Sequence, residues 1–512
     1  MKTVKSLILG SAAALVAMGG AQAADLPIKA KAVEYVKVCS LYGAGFYYIP
    51  GTDTCIKLGG YLRVETGIAS NGIYNNAVTL PSGAKNRLSN YYYTRSREDL
   101  NIDTRTATEY GVVRTYFDAT FSWTTGNFTG TAGGATGYDV IAGTTSSAPG
   151  NAGGGNIAGG SLGVYYAFIQ FAGFTMGKAV SQFDTPWNNY PGNNIDGLWG
   201  GGGTVTGVNQ FAYTADFGQG ITASISAEDQ TGYYQTNLWN TSLATAGGVV
   251  GGAYGGSAFG GTRSPDIIGQ VRVDQAWGLF QANLAAHDNH AAYYGATELT
   301  GHPSDKWGWA GQLALSIKNI PTGPGDTINI QGVYTNGASR YNAQSLVPTT
   351  YQMYGSTGNP LAYQSLAFAG VSDAVFGLGT GMELTTTYGF RGGYTHNWSP
   401  YWNTAIYGSW AAVRYSSTAK GLICGSPGML AVATASFTCN PDFNISTLGL
   451  ITRWTPVKNL TFSADLAWTN LDQKYAGLVA NPGVTPAAKP TALYEMKDQN
   501  SVSLLLRAQR NW

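Results

Sequence analysis

Apolar and polar residues alternate with a period of two along several stretches of the chain. In residues 58–65, Leu62 and Val64 fall on one side and Arg63 and Glu65 on the other. The segments 97–105 and 110–123 repeat the pattern. Successive side chains of a β-strand point to opposite faces, so this period predicts strands with one apolar and one polar face.

Sixteen segments have this strand character or are bounded by turn residues. They are 58–65, 97–105, 110–123, 161–171, 173–178, 207–217, 220–229, 265–277, 279–288, 306–319, 325–335, 384–398, 401–415, 443–454, 458–470 and 499–512. Many are joined in pairs by tight turns such as Ser399-Pro400, and the pairs are separated by long stretches rich in Gly, Thr, Ser and Asn. Short turns that alternate with long loops are typical of outer-membrane barrels.

Two all-β architectures fit this pattern: a transmembrane antiparallel β-barrel and a soluble β-sandwich. The barrel is favoured because apolar faces end in aromatic residues, as at Phe121 and Trp123, and because polar faces carry most of the charge. Charged residues make up only 11% of the chain, against ~25% in ordinary soluble domains. Much of the outer surface is therefore expected to face something other than water.

The N-terminus has the features of a secretory signal peptide. Lys2 and Lys5 precede an apolar run at 7–18, and Ala21-Gln22-Ala23 is a small-residue cleavage site. An anchor helix is the alternative, but the run is shorter than the ~20 residues that a span requires. We expect a signal peptide at 1–23 and a single transmembrane β-barrel domain at 24–512. The net charge of +1 gives no support for nucleic-acid binding.

The cysteines form two local pairs, and export places them in an oxidising compartment. We therefore expect disulfides rather than free thiols, in the pairs Cys39 with Cys55 and Cys424 with Cys439. His287 and His290 could bind a metal weakly, but a solvated pair of loop histidines is the preferred interpretation. The sequence offers no catalytic constellation, so we expect no enzyme activity, no cofactor and no metal.

Three segments resemble the alphaproteobacterial general porins. The run from Cys39 to Arg63 looks like that family's N-terminal signature, and the segments 95–111 and 163–178 are similar to its second strand and to the strand pair before its pore loop. The resemblance implies a sixteen-stranded barrel, a homotrimer, long external loops, and a third external loop, here 179–206, folded into the lumen. It also implies an integral outer-membrane protein surrounded by lipid and lipopolysaccharide.

A constriction is expected between the barrel wall and the infolded loop. The residues predicted to form it are Arg63, Arg97, Arg105, Arg114, Asp184 and Asp196. The four arginines lie on polar faces of the first three strands and would form a basic wall, and the two aspartates would form an acidic wall on the loop. Charges on opposite sides of a lumen select solutes by sign. Alternatively, the arginines are paired with carboxylates on adjacent strands.

Two functions from different classes are compatible with the sequence. One is a passive diffusion porin that forms water-filled channels for small hydrophilic solutes and ions. The other is a surface structural or adhesive barrel with a plugged lumen, whose long loops bind a partner.

Overall fold

The computed structural model describes residues 37–69, 92–124, 161–187, 198–203, 206–229, 234–344, 347–483 and 489–512. The predicted signal peptide lies outside the described residues. The described part contains a closed antiparallel barrel of sixteen strands. They are β1 (Thr54–Ala69), β2 (Tyr92–Thr108), β3 (Gly111–Thr124), β4 (Ser161–Phe171), β5 (Phe174–Ala179), β6 (Val208–Asp216), β7 (Ile221–Glu228), β8 (Asp266–Gln275), β9 (Gly278–Asn289), β10 (Lys306–Lys318), β11 (Thr327–Asn336), β12 (Thr386–Ser399), β13 (Trp402–Arg414), β14 (Phe443–Val457), β15 (Leu460–Gln473) and β16 (Gln499–Asn511).

The barrel closes between its first and last strands. β1 pairs with β2 on one side and with β16 on the other, with Arg63 opposite Gln509. Each candidate strand of the sequence corresponds to one of these sixteen, so the predicted strand count is confirmed. The first strand begins earlier than expected, at Thr54, because the short strand Tyr47–Tyr48 turns back and pairs with its start.

The polarity of the barrel is inverted relative to that of a soluble protein. On β11, Ile328, Ile330 and Tyr334 are exposed on the outside, whereas Asn329 and Gln331 are buried on the inside. The same alternation runs around the barrel and gives an apolar outer belt and a polar lumen. Such a belt is stable against hydrocarbon rather than against water, so the soluble sandwich is excluded.

The two ends of the barrel differ in the length of their connections. Tight turns join β2 to β3, β4 to β5, β6 to β7, β8 to β9, β12 to β13 and β14 to β15 at one end. The long connections emerge at the opposite end, in agreement with the two-sided organisation that the sequence predicts. We call this opposite end the mouth.

Both predicted disulfides are present. Cys39 and Cys55 join the N-terminal segment to β1, with an S–S distance of 2.00 Å. Cys424 and Cys439 close a segment of one long connection at the mouth, with an S–S distance of 1.97 Å. The first disulfide is buried with Phe46, so the N-terminal segment is fixed against the tight-turn end of the wall.

The long connections at the mouth fold into a structure that we call the cap. It contains two four-stranded sheets. One is formed by Leu238–Asn240, Gly256–Ser257, Ala374–Phe376 and Glu383–Leu384, and the other by Thr350–Gly355, Gln364–Gly370, Leu478–Asn481 and Ala492–Met496. Three short helices complete the cap: α1 (Ala246–Val250), α2 (Ser417–Cys424) and α3 (Pro427–Val432). In the described part of the chain, no helix is long and apolar enough to cross a membrane.

The cap has its own apolar core. Trp239, Tyr254 and Phe368 are fully buried in it, and lumen-facing residues of the barrel wall, such as Phe443 and Leu471, complete it. The segments 230–264 and 336–383 show no strand period, because their strands are short and their apolar residues are not regularly spaced. The cap therefore packs against the inner surface of β13–β15 at the mouth.

A buried histidine links the cap to the barrel wall. The Nδ1 atom of His287, on β9, lies 2.9 Å from both carboxylate oxygens of Asp266 on β8. Its Nε2 atom lies 3.6 Å from Oδ2 of Asp373 in the cap, and all three side chains are fully buried. The interpretation of His287 as a solvated loop residue was therefore wrong, because these distant carboxylates enclose it. Among the described residues no cluster has the composition of a metal site.

The carboxylate of Asp373 receives several hydrogen bonds in addition to its contact with His287. Oδ1 accepts from the backbone N–H of Ser339 at 2.6 Å, and Oδ2 accepts from that of Thr236 at 2.8 Å. Burial alone raises the pKa of Asp373, but His287 and these hydrogen bonds outweigh it and hold the pKa below its usual value. The stabilisation is thus present above about pH 4 and is lost as the pH falls through the lowered pKa.

We expect Asp373→Asn to loosen the cap at neutral pH. Removing one partner of a buried ion pair costs about 3–5 kcal/mol, because the remaining charges lose their compensation. Hydrogen exchange of the strand Ala374–Phe376 should accelerate. Lys474→Ala is the matched control, since the pair of Lys474 with Asp472 is partly exposed and contributes about 1 kcal/mol or less. Equal protection in both variants would contradict the role of Asp373.

Candidate functional site

The four predicted arginines lie on the lumen face of β1–β3, in two pairs. Leu62 and Val64 are about half exposed on the outer surface, which directs Arg63 inward between them. Arg63 is directly opposite Arg97 in the sheet, and Arg105 is directly opposite Arg114. The sequence pattern therefore predicts correctly that all four face the lumen. The strand register places them as two pairs at different heights of one wall.

The pair nearer the tight turns is neutralised in part by a shared carboxylate. Asp103 accepts hydrogen bonds from Nη2 of Arg105 at 2.9 Å and from Nη2 of Arg114 at 3.0 Å. Arg114 also donates to Gln170 at 2.9 Å. The guanidinium of Arg105 lies 4.9 Å from the centre of the Phe46 ring. For these two arginines the structure shows the alternative arrangement, which is pairing with a carboxylate on the wall.

The other pair has neutral partners. Nε of Arg63 donates to Oε1 of Gln509 at 2.9 Å, and Nε of Arg97 donates to Oγ of Ser122 at 2.9 Å. Within the described residues, no carboxylate oxygen lies within ion-pair distance of either guanidinium. The nearby carboxylate of Glu65 is engaged by Arg95 and Arg507, so in the described part of the chain neither guanidinium of this pair is in direct contact with a carboxylate.

Sequence reasoning missed two further arginines on the same wall, Arg95 and Arg507. Both form ion pairs with Glu65, and Nε of Arg507 lies 2.7 Å from its Oε2. Arg95 precedes Arg97 by two residues on the same face, so the period alone could have identified it. Arg507 lies on the last strand, and only closure of the barrel brings it beside β1.

The connection between β5 and β6 folds into the lumen, as expected for the third external loop. The carbonyl of Phe183 accepts hydrogen bonds from Asn283 at 2.6 Å and from Gln312 at 2.9 Å. Thr185 donates to Gln331 at 2.8 Å. These polar partners lie on β9, β10 and β11, eight strands away from β1–β3 in a barrel of sixteen. The loop therefore narrows the lumen from the side opposite the arginines.

Asp184 occupies the loop, but its side chain is buried and does not line an open acidic wall. Its backbone carbonyl accepts from Gln281 at 2.9 Å. The buried guanidinium of Arg391, on β12, lies within electrostatic reach of its carboxylate. That Asp184 contributes to a constriction stays a prediction. Asp196 lies outside the described residues.

The second half of the loop is held by Arg391, which the sequence did not single out. Nη2 of Arg391 donates to the carbonyl of Gly202 at 2.7 Å, and Nη1 donates to that of Leu198 at 3.4 Å. Gly389 and Gly393 flank Arg391 two residues away on the same face of β12. An isolated arginine between two lumen-facing glycines is the sequence feature by which Arg391 could have been singled out.

The glycines at 200–203 bring the loop close to the wall. Gly200 has a φ of +98°, a conformation that favours glycine, and a Cβ there would overlap the backbone of Phe390. A Cβ at Gly201 would overlap the side chain of Gln331. Glycine is therefore favoured at Gly200 by backbone conformation, and at both positions by close packing against the wall.

Trp199 connects the loop to the cap. Its indole Nε1 donates to the hydroxyl of Tyr351 at 2.8 Å, and its ring meets that of Phe443 edge-on at 6.4 Å. The side chain is fully buried within the core of the cap. The loop is therefore fixed both to the barrel wall and to the folded connections at the mouth.

Comparisons with known proteins agree with this architecture. Residues 25–505 match the family model described as "Porin subfamily". Porin Omp2b of Brucella suis is 32% identical over 56% of this chain and 66% of its own length. Porin Omp2a of Brucella melitensis is 37% identical over 44% of this chain and 56% of its own length. The matched regions thus span between half and two thirds of these relatives.

A solved structure supports the fold. The outer membrane channel DcaP of Acinetobacter baumannii superposes with a TM-score of 0.55, over 91% of this chain and 99% of its own. The sequence identity is 14%, so the likeness bears on the fold alone.

We expect Arg391→Met to release the second half of the loop. The substitution removes the donors to two buried carbonyls, and the shorter of these hydrogen bonds, to Gly202, is expected to contribute about 2 kcal/mol. The amides of Gly200 and Gly202 should therefore exchange with solvent roughly thirty-fold faster. Arg272→Met is the control, because Arg272 is a lumen-facing arginine that donates to Asp274 and not to the loop. Unchanged exchange at 200–203 would exclude Arg391 as the anchor.

Proposed function

The chain belongs to the porin subfamily and is an integral outer-membrane β-barrel, and on that premise we propose that it forms a water-filled channel for passive diffusion. Small hydrophilic solutes and ions would cross through its lumen. The observation that carries the proposal is the inverted polarity of the closed barrel, with apolar side chains outside and charged side chains within. An apolar core would support the barrel at a lower cost in free energy than buried polar side chains do. Structural support alone therefore does not explain a polar lumen.

The proposed constriction lies between the arginine wall and the infolded loop. Its basic side consists of Arg63, Arg97, Arg105 and Arg114, which the register brings together on β1–β3. Its other side is the loop that carries Asp184 and Asp196. A transverse field between the two sides would orient dipolar solutes and disfavour apolar ones.

We further propose that the protein works as a homotrimer in a bilayer of outer-membrane lipid and lipopolysaccharide. The proposal is supported by the broad apolar belt, which includes Trp307, Leu313 and Leu448 among its exposed residues. A cyclic trimer is closed by a head-to-tail contact between two complementary patches of such a belt, repeated around a threefold axis.

The folded cap favours a second candidate function, that of a surface structural or adhesive barrel. Its apolar core joins several long connections and packs on the lumen side of β13–β15. In this alternative the cap plugs the barrel and presents a binding surface to a partner. The two candidates differ in whether ions pass.

We expect the purified, folded protein to give step-like increases in current when it is added to a planar lipid bilayer. The steps should be uniform in size, because each insertion adds one oligomer of fixed geometry. The heat-denatured protein is the control, since it retains the sequence but not the closed barrel. A folded sample that never conducts would reject the diffusion channel and support the plugged barrel.

A further inference from the structure

Arg63 and Arg97 are two like charges that the fold holds against each other. They are directly opposite in antiparallel strands, where Cβ atoms are about 5 Å apart. Like charges in this position destabilise a sheet. Arg105 and Arg114 are arranged in the same way, but Asp103 lies between them and offsets the repulsion. The pair at Arg63 and Arg97 has no such carboxylate.

The two guanidiniums are oriented by their surroundings. The hydrogen bonds to Gln509 and Ser122 both use Nε, so the terminal nitrogens are directed away from these partners. The guanidinium carbon of Arg63 lies 4.4 Å from the centre of the Tyr61 ring, and that of Arg97 lies 5.7 Å from the centre of the Tyr165 ring. Stacking on aromatic rings limits side-chain motion and lowers the entropy cost of binding a ligand.

The carboxylates close to this pair are already engaged. Glu65 lies in ion pairs with both Arg95 and Arg507. Asp99, two residues from Arg97, accepts from the amide of Asn101 at 3.3 Å. An anion that enters the lumen would therefore meet two guanidiniums without displacing an internal ion pair.

We propose that Arg63 and Arg97 form a binding subsite for a small oxyanion with two negative charges, of which inorganic phosphate is the simplest. The proposal rests on the proposed function, since the ligand reaches the subsite through the lumen. Planar guanidiniums bind phosphate and carboxylate oxygens in a bidentate manner, with two parallel N–H donors each. Two forks side by side thus match a dianion better than they match chloride, which is a spherical monoanion.

The subsite predicts that phosphate reduces the chloride current through the open channel. The measurement uses planar bilayers at moderate ionic strength and mildly alkaline pH, where phosphate is a dianion. In the double variant Arg63→Gln/Arg97→Gln, the half-blocking phosphate concentration should rise about tenfold or more. Arg272→Gln is the matched control, because this lumen arginine lies on β8 beside Asp274 and should leave the block unchanged.

A charge-conserving variant separates a built subsite from a diffuse positive field. Arg63→Lys/Arg97→Lys keeps both charges but removes both planar forks. If the subsite exists, the variant loses the phosphate block although both positive charges remain. If phosphate blocks the lysine variant as strongly as the wild type, only the field acts and the subsite is rejected.

Phosphate binding is also measurable without conduction. The 31P resonance of inorganic phosphate should broaden in the presence of the detergent-solubilised wild type and stay narrow with the double glutamine variant. A protein that conducts but neither blocks nor broadens would overturn the subsite and leave the diffusion channel intact. A protein that broadens the resonance but never conducts would overturn the channel and retain the subsite.

Discussion

The hydrogen bonding between β1 and β16 is the constraint on which the rest of the structure depends. A strand edge cannot remain open in hydrocarbon, because each unpaired N–H or C=O there would cost several kcal/mol. Closure therefore couples the register of the strands to their number. It also brings Arg507 of the last strand against Glu65 of the first. The arrangement of charges in the lumen is thus a direct consequence of the backbone hydrogen bonds that close the barrel.

The closed barrel has a polar interior, and the infolded loop forms hydrogen bonds with it. The wall formed by β9–β11 offers the amides of Asn283, Gln312 and Gln331, and the loop meets them with backbone carbonyls and Thr185. These neutral hydrogen bonds position the loop without adding charge to its wall.

Much of the barrel could be predicted from the sequence, because strand period, turns and the inward face of Arg63 are local properties. The position of Arg391 as the loop anchor could not be predicted, since its partners Leu198 and Gly202 are nearly 190 residues away. The burial of His287 depends likewise on Asp373, which arrives from another connection. The cap was missed because its apolar residues are buried by tertiary packing and show no period.

The contact between Trp199 and Tyr351 joins residues 152 positions apart, which has a consequence for the order of assembly. Bringing such distant segments together costs loop-closure entropy, and this cost is lowered once the intervening strands are paired. Phe443, which also touches Trp199, belongs to the fourteenth strand. We therefore expect the infolded loop to dock after most of the wall has paired. On that order, the lumen of the barrel is narrowed only in the final step of assembly.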